Sequence, residues 1–112
     1  MRCLRILFDH GVPRGLAGFL PGHDVIETRA MGWERFANGA LLNAAEEAGF
    51  ELFVTTDQNL SYQQNLSERV IAIVVLTGSS KWLRVRAEVG RIAAAVDGME
   101  PGGYVEVFIP FR

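Results

Sequence analysis

The run Ile71-Ala72-Ile73-Val74-Val75-Leu76 is apolar without interruption and mostly β-branched. A strand places successive side chains on opposite faces, so this one has to be covered on both sides. That requirement excludes a sheet with one wet face and calls for a parallel sheet between helical layers. The rest of the chain supplies such layers. Leu4 to Phe8 reads as a first strand and ends on Asp9. His23 to Glu27 reads as a second, Leu52 to Thr56 as a third that ends on Asp57, and Tyr104 to Ile109 as an alternating strand on a sheet edge. Pro13 suits a first helical turn and predicts a helix with Leu16, Phe19 and Leu20 inward, stopped by Pro21-Gly22. Gly39 to Ala48 predicts a second helix, with Leu41, Leu42 and Ala45 on the buried face, Glu46 and Glu47 toward solvent, and Gly49 as its stop. Trp82, Val85, Val89, Ile92 and Val96 repeat at intervals of three and four, which predicts one long helix with Lys81 at its start. The expected architecture is a three-layer α/β domain over residues 1–112, with a mostly parallel five-stranded sheet.

Composition narrows the partners. The 112 residues are 49% hydrophobic and 21% charged, with a net charge of −2. A polyanion would therefore have to be held by a local basic patch rather than by overall charge. The single cysteine, Cys3, reads as a small buried hydrophobe at the edge of the first strand. No apolar run approaches the ~18 residues of a membrane span, and the N-terminus lacks the layout of a signal peptide. A cytoplasmic protein is expected.

Five strands in a small domain of this class commonly take the order 2-1-3-4-5, and ligands bind beyond the carboxyl ends of the strands flanking the switch point. Those strands are the first and third, which end on Asp9 and Asp57. Neighbouring strands lie ~4.8 Å apart, so the two carboxylates are expected side by side and able to share one divalent cation. Without a counter-ion they would repel. Either aspartate alone would read as a turn former or helix cap; the pair at a switch point reads as a site.

The run FDHGVP, the helix NGALLNAAEEAGF and the strand with its tail ELFVTTDQNL resemble the PIN-like proteins, especially a short branch related to toxin ribonucleases of toxin-antitoxin pairs. The resemblance covers most of the chain, in order. It implies a metal-dependent endoribonuclease in which acidic residues bind Mg2+ or Mn2+ and activate water for phosphodiester cleavage. Asp9 matches the acid that ends the first strand, and Asp57, within Thr55-Thr56-Asp57, the acid of the turn after the third. Asn38 falls at the helix-opening position, where this branch often carries Asp, and Asn59 stands where a further Asp is common. Asn38 can still offer a metal one neutral oxygen, and Glu34 is the nearby acidic substitute. The resemblance also implies RNA as substrate, a homodimer, and a small antitoxin as partner.

Around this site, Arg14 and Lys81 are expected on one rim, where they can meet a phosphate backbone. Tyr62, with Gln58, Gln63, Gln64 and Asn65, is placed to stack on and hydrogen-bond unpaired bases. Trp82 reads as core and His10 as a surface hydrogen-bonding residue. Two other readings stand beside the nuclease. A receiver-like phosphoacceptor domain would use Asp9, Asp57 and Thr77, but it needs a second acid where His10 stands and a lysine where Ile109-Pro110 stands. A PIN-like module without catalysis would hold RNA or a protein, and Asn38 and Asn59 favour that loss of charge.

Overall fold

A computed structural model describes residues 3–60, 66 and 69–112. The strands are β1 (Arg5–Phe8), β2 (Asp24–Glu27), β3 (Leu52–Thr55), β4 (Ala72–Gly78) and β5 (Tyr104–Ile109). They form one sheet in the order β2-β1-β3-β4-β5. Every pairing is parallel, with Phe8 opposite both Glu27 and Val54, and Thr55 opposite Val75. The α/β architecture expected from the sequence is therefore present, switch point included.

Alternation along the central strands builds two cores. Ile6, Phe8, Leu52, Val54, Val74 and Leu76 face one way, whereas Leu7, Phe53, Ile73 and Val75 face the other. Helix α1 (Asn38–Glu47) covers the second face with Leu41, Leu42 and Ala45. The first face is covered by a 3-10 helix at Arg14–Phe19 and by helices α2 (Trp82–Ala87) and α3 (Val89–Asp97), through Leu16, Val85, Ile92 and Val96. Each fully buried Leu, Ile, Val or Phe contributes roughly 1.5–3 kcal/mol, so this sandwich is the main source of stability. No helix among the described residues is long and apolar enough to cross a membrane.

Four local expectations are corrected. The segment after Pro13 is a 3-10 rather than an α-helix, because Gly15 and Gly18 fall within six residues and disfavour regular helix. Phe19 is exposed, its ring tilted against Trp82 at 5.9 Å; the tighter 3-10 winding turns it off the core face. The long helix breaks at Glu88 (φ −113°, ψ 13°), whose N–H returns to the Val85 carbonyl. The apolar rhythm runs unchanged across this break, which is why periodicity alone predicts one helix. Cys3 is exposed, because the sheet pairing begins only at Arg5.

At the amino end of the sheet, the His23 ring is almost wholly buried. Its Nδ1 accepts from the Leu4 N–H at 3.0 Å, so the ring proton resides on Nε2, 2.8 Å from Asp97 Oδ1. At the other end, Gly78 has φ +81°, and an added Cβ would overlap the Ile109 carbonyl. Glycine is needed there for close approach of β4 and β5.

Glu46 departs most from its expected solvent role. Its carboxylate accepts from Arg69 Nη1 at 2.8 Å and from the Val70 and Ile71 N–H groups at 2.8 and 3.2 Å, fixing the entry to β4. Burial alone would raise its pKa, but the Arg69 and backbone hydrogen bonds together with the Arg69 charge outweigh it, so the carboxyl titrates below the ordinary glutamate range. A depressed folded-state pKa adds stability above the unfolded-state value and loses it as pH falls through the folded-state value. Glu46→Gln should therefore destabilise the protein by about 1–2 kcal/mol at pH 7, since it removes charge-assisted hydrogen bonds. The gap to wild type should close as pH drops below about 4, measured by urea denaturation across the acid range. A gap that is constant with pH would contradict this assignment.

Candidate active site

Asp9 is the first residue past β1, and its N–H continues the ladder by donating to the Val54 carbonyl at 2.9 Å. Asp57 lies two residues past β3. Both line a cleft of about 280 Å3 at the carboxyl ends of the strands that flank the switch point. Asn38, the first residue of α1, and Glu34 line it too.

A buried hydroxyl organises the pair. Thr55 Oγ1 donates to Asp9 Oδ2 at 2.8 Å and accepts from the Asp57 N–H at 3.0 Å. Asp57 is held further by the Asn59 N–H on Oδ1 at 3.0 Å and by Asn38 Nδ2 on Oδ2 at 2.8 Å. The Asp9 Oδ1 atom accepts from the His10 N–H at 2.9 Å and lies 3.1 Å from His10 Nδ1. A deprotonated carboxylate only accepts, so this contact places the ring proton on Nδ1 and leaves Nε2 free to take another. Each aspartate is thus oriented by two or more donors. Opposite Gly11, an added Cβ would sit 2.5 Å from Thr56 Oγ1, so glycine keeps this side of the cleft open.

The expected site residues separate into two groups. Asp9, Asn38 and Asp57 come together, and His10 joins them at the rim. Asn59 contributes its backbone N–H to Asp57, and its own side chain is exposed outside the cleft lining. Arg14 does not line the cleft and pairs with Glu27 at 3.2 Å. Lys81 precedes α2 in a separate surface depression with Trp82 and Phe111. Neither side chain therefore belongs to the lining of the cleft. Gln58 is exposed; Tyr62, Gln63, Gln64 and Asn65 lie outside the described residues.

Four contributors were not anticipated. Thr55 stands in the Thr55-Thr56-Asp57 turn already singled out, but its role as a bridge between the two aspartates has no sign in the sequence. Trp33 and Phe36 line the cleft from the loop before α1. Thr28 lines it as well; its Oγ1 is buried and has no hydrogen-bond partner among the described residues. A buried hydroxyl left in that state is costly.

Among the described residues no three His, Cys, Asp or Glu side chains gather as a metal-holding group. Mg2+, however, is often held by only one or two carboxylates, with waters and substrate phosphates completing its octahedron. Two ordered carboxylates in an open cleft meet that requirement. A cleft lined by Asp9, Asp57 and Glu34, with no lysine or arginine among the described residues of its lining, would itself repel phosphate, so its charge suits a cation.

Removing the Thr55 hydroxyl tests this construction. Thr55→Val leaves the Asp57 N–H and Asp9 Oδ2 short of a partner and should cost about 1–2 kcal/mol, read from the urea midpoint. An unchanged midpoint would show that the two aspartates are not held through this residue.

No family model, curated protein or solved structure matches the chain.

Proposed function

We propose that the chain is a metal-dependent ribonuclease of the PIN-like kind. The observation that carries this reading is the Asp9–Thr55–Asp57 linkage, which faces two carboxylates into one cleft at the switch point. Asp9 and Asp57 would hold Mg2+ or Mn2+, with the Asn38 amide beside them. The bound cation supplies neutralisation of phosphate charge and a lowered pKa for water. The side chains do the rest. Thr55 keeps the carboxylates in register, Asn38 Nδ2 restrains the Asp57 rotamer, and His10 can accept a proton at Nε2. The toxin role, with an antitoxin partner and a homodimer, is proposed on the sequence resemblance alone.

One contact favours a second reading. Asn38 occupies an Asp57 oxygen with an N–H donor, where an acid would add charge toward a cation. A PIN-like module that holds RNA or a protein without cleaving it fits that feature.

Position 38 separates the two. Mn2+ at millimolar concentration should raise the melting temperature of the native protein, and Asp9→Asn should abolish the rise. Asn38→Asp removes the amide donor and places a further acid beside Asp57, so the metal-free melting temperature should fall while the Mn2+-induced rise grows. The same variant should cleave single-stranded RNA faster than wild type, and Asp57→Ala should be inactive in either background. RNA cleavage that persists in EDTA would contradict the nuclease reading. Metal and RNA binding with no cleavage in either form would support the module.

A further inference from the structure

Two aromatic side chains, Trp33 and Phe36, share the lining of the cleft with the acids. Trp33 and Phe36 lie nearly parallel, 15° apart with centroids at 6.1 Å, and Trp33 meets Phe50 edge-on at 6.0 Å. Trp33 is thereby anchored on the α1 core, while Phe36 remains 44% exposed. The loop that carries them is closed by its own backbone. Gly32 takes a left-handed φ of +75°, the Trp33 N–H returns to the Thr28 carbonyl, and the Phe36 N–H returns to the Trp33 carbonyl, both at 3.0 Å. Two residues later α1 begins at Asn38, so the loop that carries the rings leads directly into the residue whose amide donates to Asp57.

An exposed phenylalanine alone needs no explanation. Here it comes with the unpartnered Thr28 hydroxyl, 1% exposed, in the lining of the same cleft. A ligand that satisfies all three features carries an anionic group for the cation at Asp9 and Asp57, a flat ring for Phe36, and a polar edge for Thr28. A nucleotide has each of these. A basic peptide would pair with the acids directly and would need no cation.

Resting on the nuclease reading, we infer that Trp33 and Phe36 form a stacking shelf for the nucleobase adjoining the phosphate held at Asp9 and Asp57, with Thr28 Oγ1 hydrogen-bonding the bound nucleotide. Stacking needs an open base face, so a base paired and stacked within a duplex is a poor ligand. Base stacking on an aromatic ring is worth roughly 1–3 kcal/mol, which sets the expected loss at about tenfold or more.

The test is fluorescence anisotropy with a short labelled RNA, single-stranded or annealed to its complement, in Mn2+. Phe36→Ala should weaken single-strand binding about tenfold and Phe36→Trp should restore it, while both keep the Mn2+-induced melting shift. Thr28→Val should weaken binding severalfold without lowering the melting temperature, because the lost hydroxyl has no hydrogen-bond partner among the described residues. Wild-type affinity in Phe36→Ala, with the metal shift intact, overturns the shelf and leaves the nuclease reading standing. Absence in wild type of both the Mn2+ shift and RNA binding overturns the two together. Binding of a basic peptide in EDTA that excludes RNA would likewise overturn the shelf and identify the cleft as a peptide site.

Discussion

The pairing of β1 with β3 sets both the interior and the cleft. Phe8 lies opposite Val54, and the next N–H along, that of Asp9, donates to the Val54 carbonyl. One residue further on β3, Thr55 is buried, and its hydroxyl spans to Asp9. A slip of this register by one residue would move Ile6 and Phe8 to the α1 face and bring Leu7 to the opposite face. The two cores therefore enforce the register, and the register places the carboxylates. Stability and candidate chemistry come from a single alignment.

Much of this was legible in the sequence because apolar burial leaves a pattern. The uninterrupted Ile71–Leu76 run demanded cover on both faces, and the parallel sheet with its 2-1-3-4-5 order followed from alternating strands and helices. Asp9 and Asp57 stood out because a charged residue closing an apolar strand marks where burial stops. Features set by tertiary approach left no such mark. The pattern of α1 assigns Glu46 to the polar side, yet says nothing of the Arg69–Ile71 segment that folds over it. Trp33 and Phe36 belong to a non-periodic loop, where spacing carries no facing information. Arg14 and Lys81 stand next to the site in chain order, yet neither lines the cleft, and spacing gives no sign of the Glu27 pairing that engages Arg14.

The two ends of the sheet also differ in kind. At the amino end, polar groups are closed on one another: His23 between Leu4 and Asp97, and Arg5, whose guanidinium reaches the Ala48 carbonyl at 2.6 Å and lies 4.5 Å from the Phe50 ring. At the carboxyl end, Asp9, Asp57 and the buried Thr28 hydroxyl line an open cleft instead. Such asymmetry follows from parallel strands, which place all their carboxyl ends, and the loops that leave them, on one side.

The Thr55 hydroxyl has one hydrogen and gives it to Asp9, while its oxygen faces the Asp57 N–H. The two acids, similar in the sequence, are thus unequal neighbours of one rotor. Donation to Asp9 makes that oxygen a better acceptor, so the backbone bond that holds Asp57 is strengthened by the bond that holds Asp9. The linkage has a polarity, and a change of charge on Asp9 would reach Asp57 through a single rotatable O–H without any movement of the strands.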